Sequence, residues 1–450
     1  MKRPIPWLAL GWLVLPVTAL ATTTPTPSTH EWLLDNGLKV IVREDHRAPV
    51  VAAQLWYKVG SSHEPPGESG LSHALEHLLF QGSSKVCPGQ AFQIMERLGA
   101  RINAFTNHDA TTYEYLMPRQ ILGVAMEIMA DQMGSAQLAQ AAFQREIEVI
   151  KNERLQNIDD SPMAILDEKM RGIAFTTSGY RTSTVGWQHD LERLRVEQLR
   201  RWYANWYAPN NATLVVVGDV TATAVESLAR RYFADLPRRT LPETRRPLEL
   251  NTPGERRITL TTRNEFPSLI MAFNVPSLVT AVDPHTAYTL RLLNELLGVG
   301  ASSRIFRQLK FREELITQAH SSYEAFNRGD ALLTISVDLD TQKNPSPEDL
   351  QARLWQLLGE FKRTPVSAQE LERARTRVVA QLVFAHDSVE TQAQKLGKLE
   401  SAGLSWTLAD REHEHLKAVT PLDIQQAARM YLTRERLSVA LASPGENNHE

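Results

Sequence analysis

Apolar and polar positions along this chain run through one pattern twice. The first round opens with "WLLDNGLKVIVRED", where Asn36-Gly37 separates two apolar runs, a hairpin signal. "VVAAQLWYKVG" predicts another strand, and "GLSHALEHLLFQG" and "GQAFQIMERLGA" predict two helices. "RINAFTNHDATTYEYLMP" predicts two more strands around a turn at His108-Asp109. Helical periodicity then runs from Ile121 to Asn157. "NNATLVVVGDV" closes the round as an apolar strand, followed by a Thr-capped helix, "TATAVESLARRYFADLP".

A Pro- and charge-rich stretch from Arg238 to Arg257 predicts a linker. Beyond it the pattern restarts. "RRITLTTRNEFPSLIMAFNVPS" is again a strand pair, and "HTAYTLRLLNELLG" again a helix, this one without metal-type residues. Tyr207 and Tyr431 begin matching helix-to-strand passages near the ends of the two rounds. The reading is one domain duplicated within the chain, with units at 31–237 and 258–450 and the linker at 238–257. A length of 450 residues agrees with two cores rather than one.

The first 21 residues, "MKRPIPWLALGWLVLPVTALA", join a basic start to an apolar run too short to span a bilayer comfortably, ending in a small-x-small site. This predicts a secretory signal peptide cleaved after Ala21, hence an exported, periplasmic protein with no membrane span after cleavage; the rival is an uncleaved anchor. Residues 22–30, "TTTPTPSTH", predict a disordered tail. The formal net charge of -3 excludes the basic excess of a nucleic-acid binder. The only cysteine, Cys87, excludes an internal disulfide.

The helix "GLSHALEHLLFQG" carries the candidate chemistry. Residues at i and i+4 share a helix face, so His73 and His77 project together with Glu76 beside them and Leu75, Leu78 and Leu79 behind. A solvated helix face would explain these residues, and so would a metal site. Imidazole nitrogens suit zinc, which in catalytic sites takes three protein ligands and leaves a position open, and a neighbouring carboxylate can serve as proton acceptor. H-x-x-E-H is the inverted-zincin arrangement. A metal reading needs a third ligand on a second rigid element. "FQREIEVIKNERLQNIDD" offers Glu146 and Glu153, seven apart on one helix face, with Glu148 pointing elsewhere.

With these residues in hand, the chain resembles the pitrilysin/insulinase family of zinc metallopeptidases, which includes the mitochondrial processing peptidases. The family pairs H-x-x-E-H with a glutamate roughly 75 residues on, and 75 residues separate His77 from Glu153. The resemblance implies His73, His77 and Glu153 as ligands of one zinc ion, Glu76 as general base and Glu146 as the supporting carboxylate. "GARINAFTNHDATTYEY" is similar to the family's N-A-x-T strand, "WYAPNNATLVVVGDV" and "YFADLP" to the close of its catalytic domain, and "LLGVGASSRIFRQL" to a passage of its second domain. The implied fold is α+β: two related α/β domains, each an antiparallel-rich sheet with packed helices, forming half of a clamshell. An extended peptide would add to the edge strand at Asn103, Ala104, Phe105 and Thr106 by main-chain pairing. Cobalt or manganese would also suit two histidines and a carboxylate.

One departure stands out. Active members of the family place an Arg and a Tyr seven residues apart in the second domain. Here Arg304, Arg307 and Arg312 are followed at that spacing by Phe311, Glu314 and Ala319, and Tyr323 is preceded by Ile316. The expectation is a zinc endopeptidase acting on extended or unfolded peptides. It would work as a heterodimer with a related chain that lacks H-x-x-E-H and supplies Arg and Tyr. A homodimer is the rival assembly, and a non-catalytic assembly subunit the rival function.

Overall fold

A computed structural model describes residues 28–262, 267–343 and 346–444. The predicted signal peptide lies outside them, as does most of the predicted tail. Thr29 and His30 were expected in that tail, but they pair with Arg43 and Val42 in the first strand. The correction follows from the hairpin: strand pairing extends until its partner runs out.

The first half contains β1 (Thr29–Leu33), β2 (Lys39–Glu44), β3 (Val50–Tyr57), α1 (Leu71–Leu79), α2 (Gln90–Arg97), β4 (Arg101–Thr106), β5 (Thr111–Pro118), α3 (Leu122–Ser135) and α4 (Gln140–Arg154). It continues with α5 (Pro162–Ala174), α6 (Gln188–Leu191), α7 (Val196–Trp206), β6 (Ala212–Gly218) and α8 (Ala222–Phe233). The second half contains β7 (Arg256–Thr262), β8 (Ser268–Val275), α9 (His285–Gly298), β9 (Ile316–Tyr323), β10 (Ala331–Leu339) and α10 (Pro347–Arg363). It ends with α11 (Ala368–Ala385), α12 (Val389–Ser401), α13 (Leu408–Ala418), α14 (Pro421–Tyr431) and β11 (Leu437–Pro444). The predicted linker therefore stops short of Arg256 and Arg257, which pair with Ser438 and Val439.

The duplication is visible in the strand orders, β1-β2-β6-β3-β5-β4 and β7-β11-β8-β10-β9. With β1 set aside they are the same sheet. Each has a parallel pair, β2 with β6 and β7 with β11, and antiparallel pairings across the rest. The predicted strand pair β7 and β8 is thus split by β11. Tyr207 caps α7 just before β6, and Tyr431 ends α14 just before β11.

Strand alternation sends the two faces of each sheet into different cores. Val51, Ala53, Leu55 and Tyr57 of β3 face the first half's own helices, whereas Ala52 and Trp56 pack with Ala393 and Leu396 of α12. In the second sheet Leu269, Met271 and Phe273 face their own helices, and Ile270 and Ala272 pack with Leu166 and Met170 of α5. Each half thus lends a helix to the other's sheet. The units at 31–237 and 258–450 are related in topology, but they are not separable in packing. Both faces are covered, so the strands read as nearly continuous apolar runs.

Candidate active site

Helix α1 is fixed at both its start and its back. Gly70 precedes it at φ 90, a left-handed conformation, and a Cβ there would lie 2.7 Å from Leu191 and from the Val185 carbonyl. Glu64 accepts the first amides of the helix, from Gly70 at 2.8 Å and Ser72 at 2.7 Å. Burial pushes the Glu64 carboxyl up to about 7 against those bonds. Asp190 holds the preceding residue through Ser69 N at 3.2 Å and Ser69 Oγ at 2.5 Å. Leu71, Ala74, Leu75, Leu78 and Leu79 are buried in the core. This leaves His73 and His77 facing outward, their rings 4.7 Å apart and nearly perpendicular at 82°.

Helix α4 brings its carboxylates to this face. Glu153 Oε2 lies 3.6 Å from His73 Nε2 and 3.6 Å from His77 Nε2. The three donor atoms fall within 4.8 Å of one another. Glu146, two turns earlier on α4, meets His77 Nδ1 at 3.2 Å. Glu148 points elsewhere, to Lys151 at 2.8 Å. A π-helical turn, Leu155–Asp159, ends α4 directly after this pair.

The donor chemistry fits a metal ion. Burial, with His77 next, pushes His73 down to about 3, so it is neutral at physiological pH with a lone pair available. Two imidazoles and one carboxylate leave a coordination position for water or substrate. His77 has its other nitrogen on a carboxylate, which fixes the tautomer as metal-bound histidines commonly require.

Glu76 stands beside the donors, 8 % exposed, and Thr106 Oγ1 donates to its Oε2 at 2.5 Å. Burial pushes Glu76 up to about 7, against the Thr106 hydrogen bond, which lowers it. A carboxyl near neutrality is suited to taking and returning a proton. Nothing in the sequence marks the Thr106–Glu76 bond, because the partners are 30 residues apart on different elements.

Among the described residues, strand β4 ends the first sheet and pairs only with β5, so Asn103, Ala104, Phe105 and Thr106 lie on a free strand edge. The side chains of Ala104, Phe105 and Thr106 are otherwise engaged, and Asn103 is exposed. Phe105 meets Trp56 edge-on at 5.5 Å, Ala104 packs on the main core, and Thr106 is held by Glu76. Main-chain groups are what this edge offers.

Arg304, Tyr323 and Ala319 of the expected Arg/Tyr passage are taken up in contacts within the second half. Arg304 forms a two-pronged pair with Glu370, both contacts at 2.9 Å, and lies over the Phe361 ring. Tyr323 donates to the Pro276 carbonyl at 2.7 Å. Ala319 lies in β9 opposite Val337.

Comparison with known proteins adds the following. Residues 39–186 match the family described as insulinase (peptidase family M16), and residues 193–378 match the peptidase M16 inactive domain. The zinc protease PqqE of Helicobacter pylori is 28% identical over 363 residues, 79% of this chain and 80% of that protein. The mitochondrial-processing peptidase subunit beta of Lentinula edodes is 24% identical over 440 residues, 94% of this chain and 91% of that protein. The crystal structure of a protease from Helicobacter pylori superposes with a TM-score of 0.86 at 24% identity, covering 93% of this chain and 100% of that one.

Proposed function

The chain belongs to the insulinase family of peptidases, family M16, and on that premise we propose that it is a zinc-dependent endopeptidase of extended or unfolded peptides. The observation that carries the reading is the convergence of His73, His77 and Glu153 from two helices. Beside them stands Glu76, bonded to the end of a free-edged strand. A zinc ion held by His73, His77 and Glu153 supplies Lewis-acid polarisation of a water and of the scissile carbonyl. Glu76 accepts the proton of the attacking water and returns it to the leaving amine. Glu146 holds His77 in the tautomer that leaves Nε2 free for the metal. The β4 edge takes the peptide as an added strand, so affinity comes from main-chain pairing and makes little demand on sequence.

The missing Arg/Tyr pair supports a heterodimer, with a related chain supplying those two groups. The similarity to a protein named as a subunit of a processing peptidase supports the same assembly. Export to the periplasm rests on the character of the first 21 residues. Among the described residues no helix is long and apolar enough to cross a membrane. The rival function, a non-catalytic subunit, is disfavoured by the intact donor set.

The test is the chain from Thr22 onward, purified alone beside Glu76→Gln, with zinc content and cleavage of a quenched-peptide library measured together. Zinc with cleavage that Glu76→Gln abolishes supports a self-sufficient peptidase and removes the partner requirement. Zinc without cleavage, with activity restored by an Arg/Tyr-bearing relative, supports the heterodimer. Absence of zinc, or cleavage unchanged in Glu76→Gln, sinks the reading.

A further inference from the structure

Three adjoining cavities, of about 170, 240 and 250 Å³, share His108 and Arg171 as wall residues. Their walls come from segments that directly follow the candidate active-site strand and helix in the chain. His108 lies two residues beyond Thr106, in the turn where Asn107 Oδ1 accepts the amides of Asp109 and Ala110. The 250 Å³ cavity is also walled by Ile158, from the π-helical turn that follows Glu153, and by Arg181. Arg154, the residue after Glu153, braces this wall through Glu168 at 2.8 Å and the Gly186 carbonyl at 2.7 Å. The cavity is therefore walled by the turn that follows β4 and by the π-helical turn that follows α4.

Its lining carries two partly solvent-facing guanidinium groups, and each of its carboxylates has an arginine partner. Glu168 is taken up by Arg154, and Asp167 by Arg171 Nε at 2.9 Å. Among the described residues, the two terminal nitrogens of Arg171 have no hydrogen bond, and the Arg181 guanidinium has neither hydrogen bond nor ion pair. His108 Nε2 is buried with no side-chain partner, and the ring also lies against the Thr182 backbone. A guanidinium with free terminal nitrogens presents the planar fork that matches a carboxylate. A buried imidazole nitrogen with no side-chain partner can take a further hydrogen bond from a ligand.

We propose that this cavity is a subsite for a carboxylate of the bound peptide, held by Arg171 and Arg181 with His108 closing the wall. The inference rests on the peptidase reading and adds a side-chain preference to a main-chain docking mode that otherwise has none. The carboxylate is either an acidic side chain at a fixed distance from the scissile bond or the peptide's own C-terminus.

The test uses the zinc-loaded Glu76→Gln chain and fluorescent peptides in which Glu replaces Gln at each position in turn, each with a free or an amidated C-terminus. Fluorescence anisotropy reads binding. The expected result is one Glu position, or the free C-terminus, that binds roughly tenfold to hundredfold tighter than its neutral counterpart. Arg181→Met and Arg171→Lys should each erode that preference while leaving the neutral peptides bound as before; Arg181, having no partner, can be replaced without disturbing the fold. Neutral peptides that bind well with no acidic preference at any position would overturn the subsite alone. So would a preference that survives both substitutions. Failure of every peptide to bind, both to the chain alone and with an Arg/Tyr-bearing relative added, would overturn the peptidase reading and the subsite with it.

Discussion

Glu146 is the residue whose role can be graded most finely. Its Oε2 lies 3.2 Å from His77 Nδ1, and the two side chains are only 16% and 17% exposed. A charge-assisted bond so shielded from solvent is worth about 1.5–3 kcal/mol, and partners of this kind typically tune metal affinity by about 10–100-fold. Glu146→Gln keeps an acceptor and loses the charge, so it should weaken zinc binding by roughly tenfold. Glu146→Ala loses both and should approach roughly a hundredfold. Competition against a chelator of known zinc affinity, on the purified chain, measures each step. Equal affinity in all three proteins, or Gln as damaging as Ala, would refute the claim that Glu146 acts on zinc through the His77 imidazole.

Other consequences follow from single contacts. Thr106→Val removes the donor to Glu76 and should lower kcat by about tenfold or more with little change in KM; Thr106→Ser should restore it, and a pure KM effect would contradict the assignment. Gly397 of α12 faces the Trp56 indole so closely that a Cβ would overlap it, so Gly397→Ala should destabilise the chain by about 1–3 kcal/mol in thermal unfolding, and an unchanged Tm would show that α12 does not seat on the first sheet as described. Asp45 is held down to about 2 chiefly by Arg47, with Gln392 of α12 also bonding it. Because the folded state favours the ionised form, Asp45 contributes stability that is fully present above its ordinary value of 3.8 and lost as pH falls toward 2. Asp45→Asn should therefore lose about 1–2 kcal/mol at neutral pH and almost nothing near pH 2, as chemical unfolding at both pH values would reveal.

What could be read from the sequence was what local spacing encodes. His73 and His77 announce a shared helix face, and the NG turn at Asn36-Gly37 announces its hairpin; Asn36 Oδ1 does accept the Leu38 amide at 3.2 Å. The third ligand is different. Glu153 is one of several acids on an ordinary amphipathic helix, and only the family spacing singled it out. The exchange of α5 and α12 was hidden because Val215 and Leu214 look alike in a run of apolar residues, although one faces a borrowed helix and the other its own. Glu64, whose carboxylate caps α1, sits among prolines and glycines where no helical period points to it. Arg171, Arg181 and His108 come from three separate segments, so only the fold brings them to one cavity.

The most direct test of the central claim is zinc analysis of three purified proteins: the wild-type chain, Glu76→Gln and Glu153→Ala. The account predicts a single zinc per chain in the first two, because Glu76 is not a ligand, and its loss in the third, where only the histidines of α1 remain. Zinc retained at full occupancy in Glu153→Ala, or lost in Glu76→Gln, would contradict the assignment of ligands and base on which the proposed function depends.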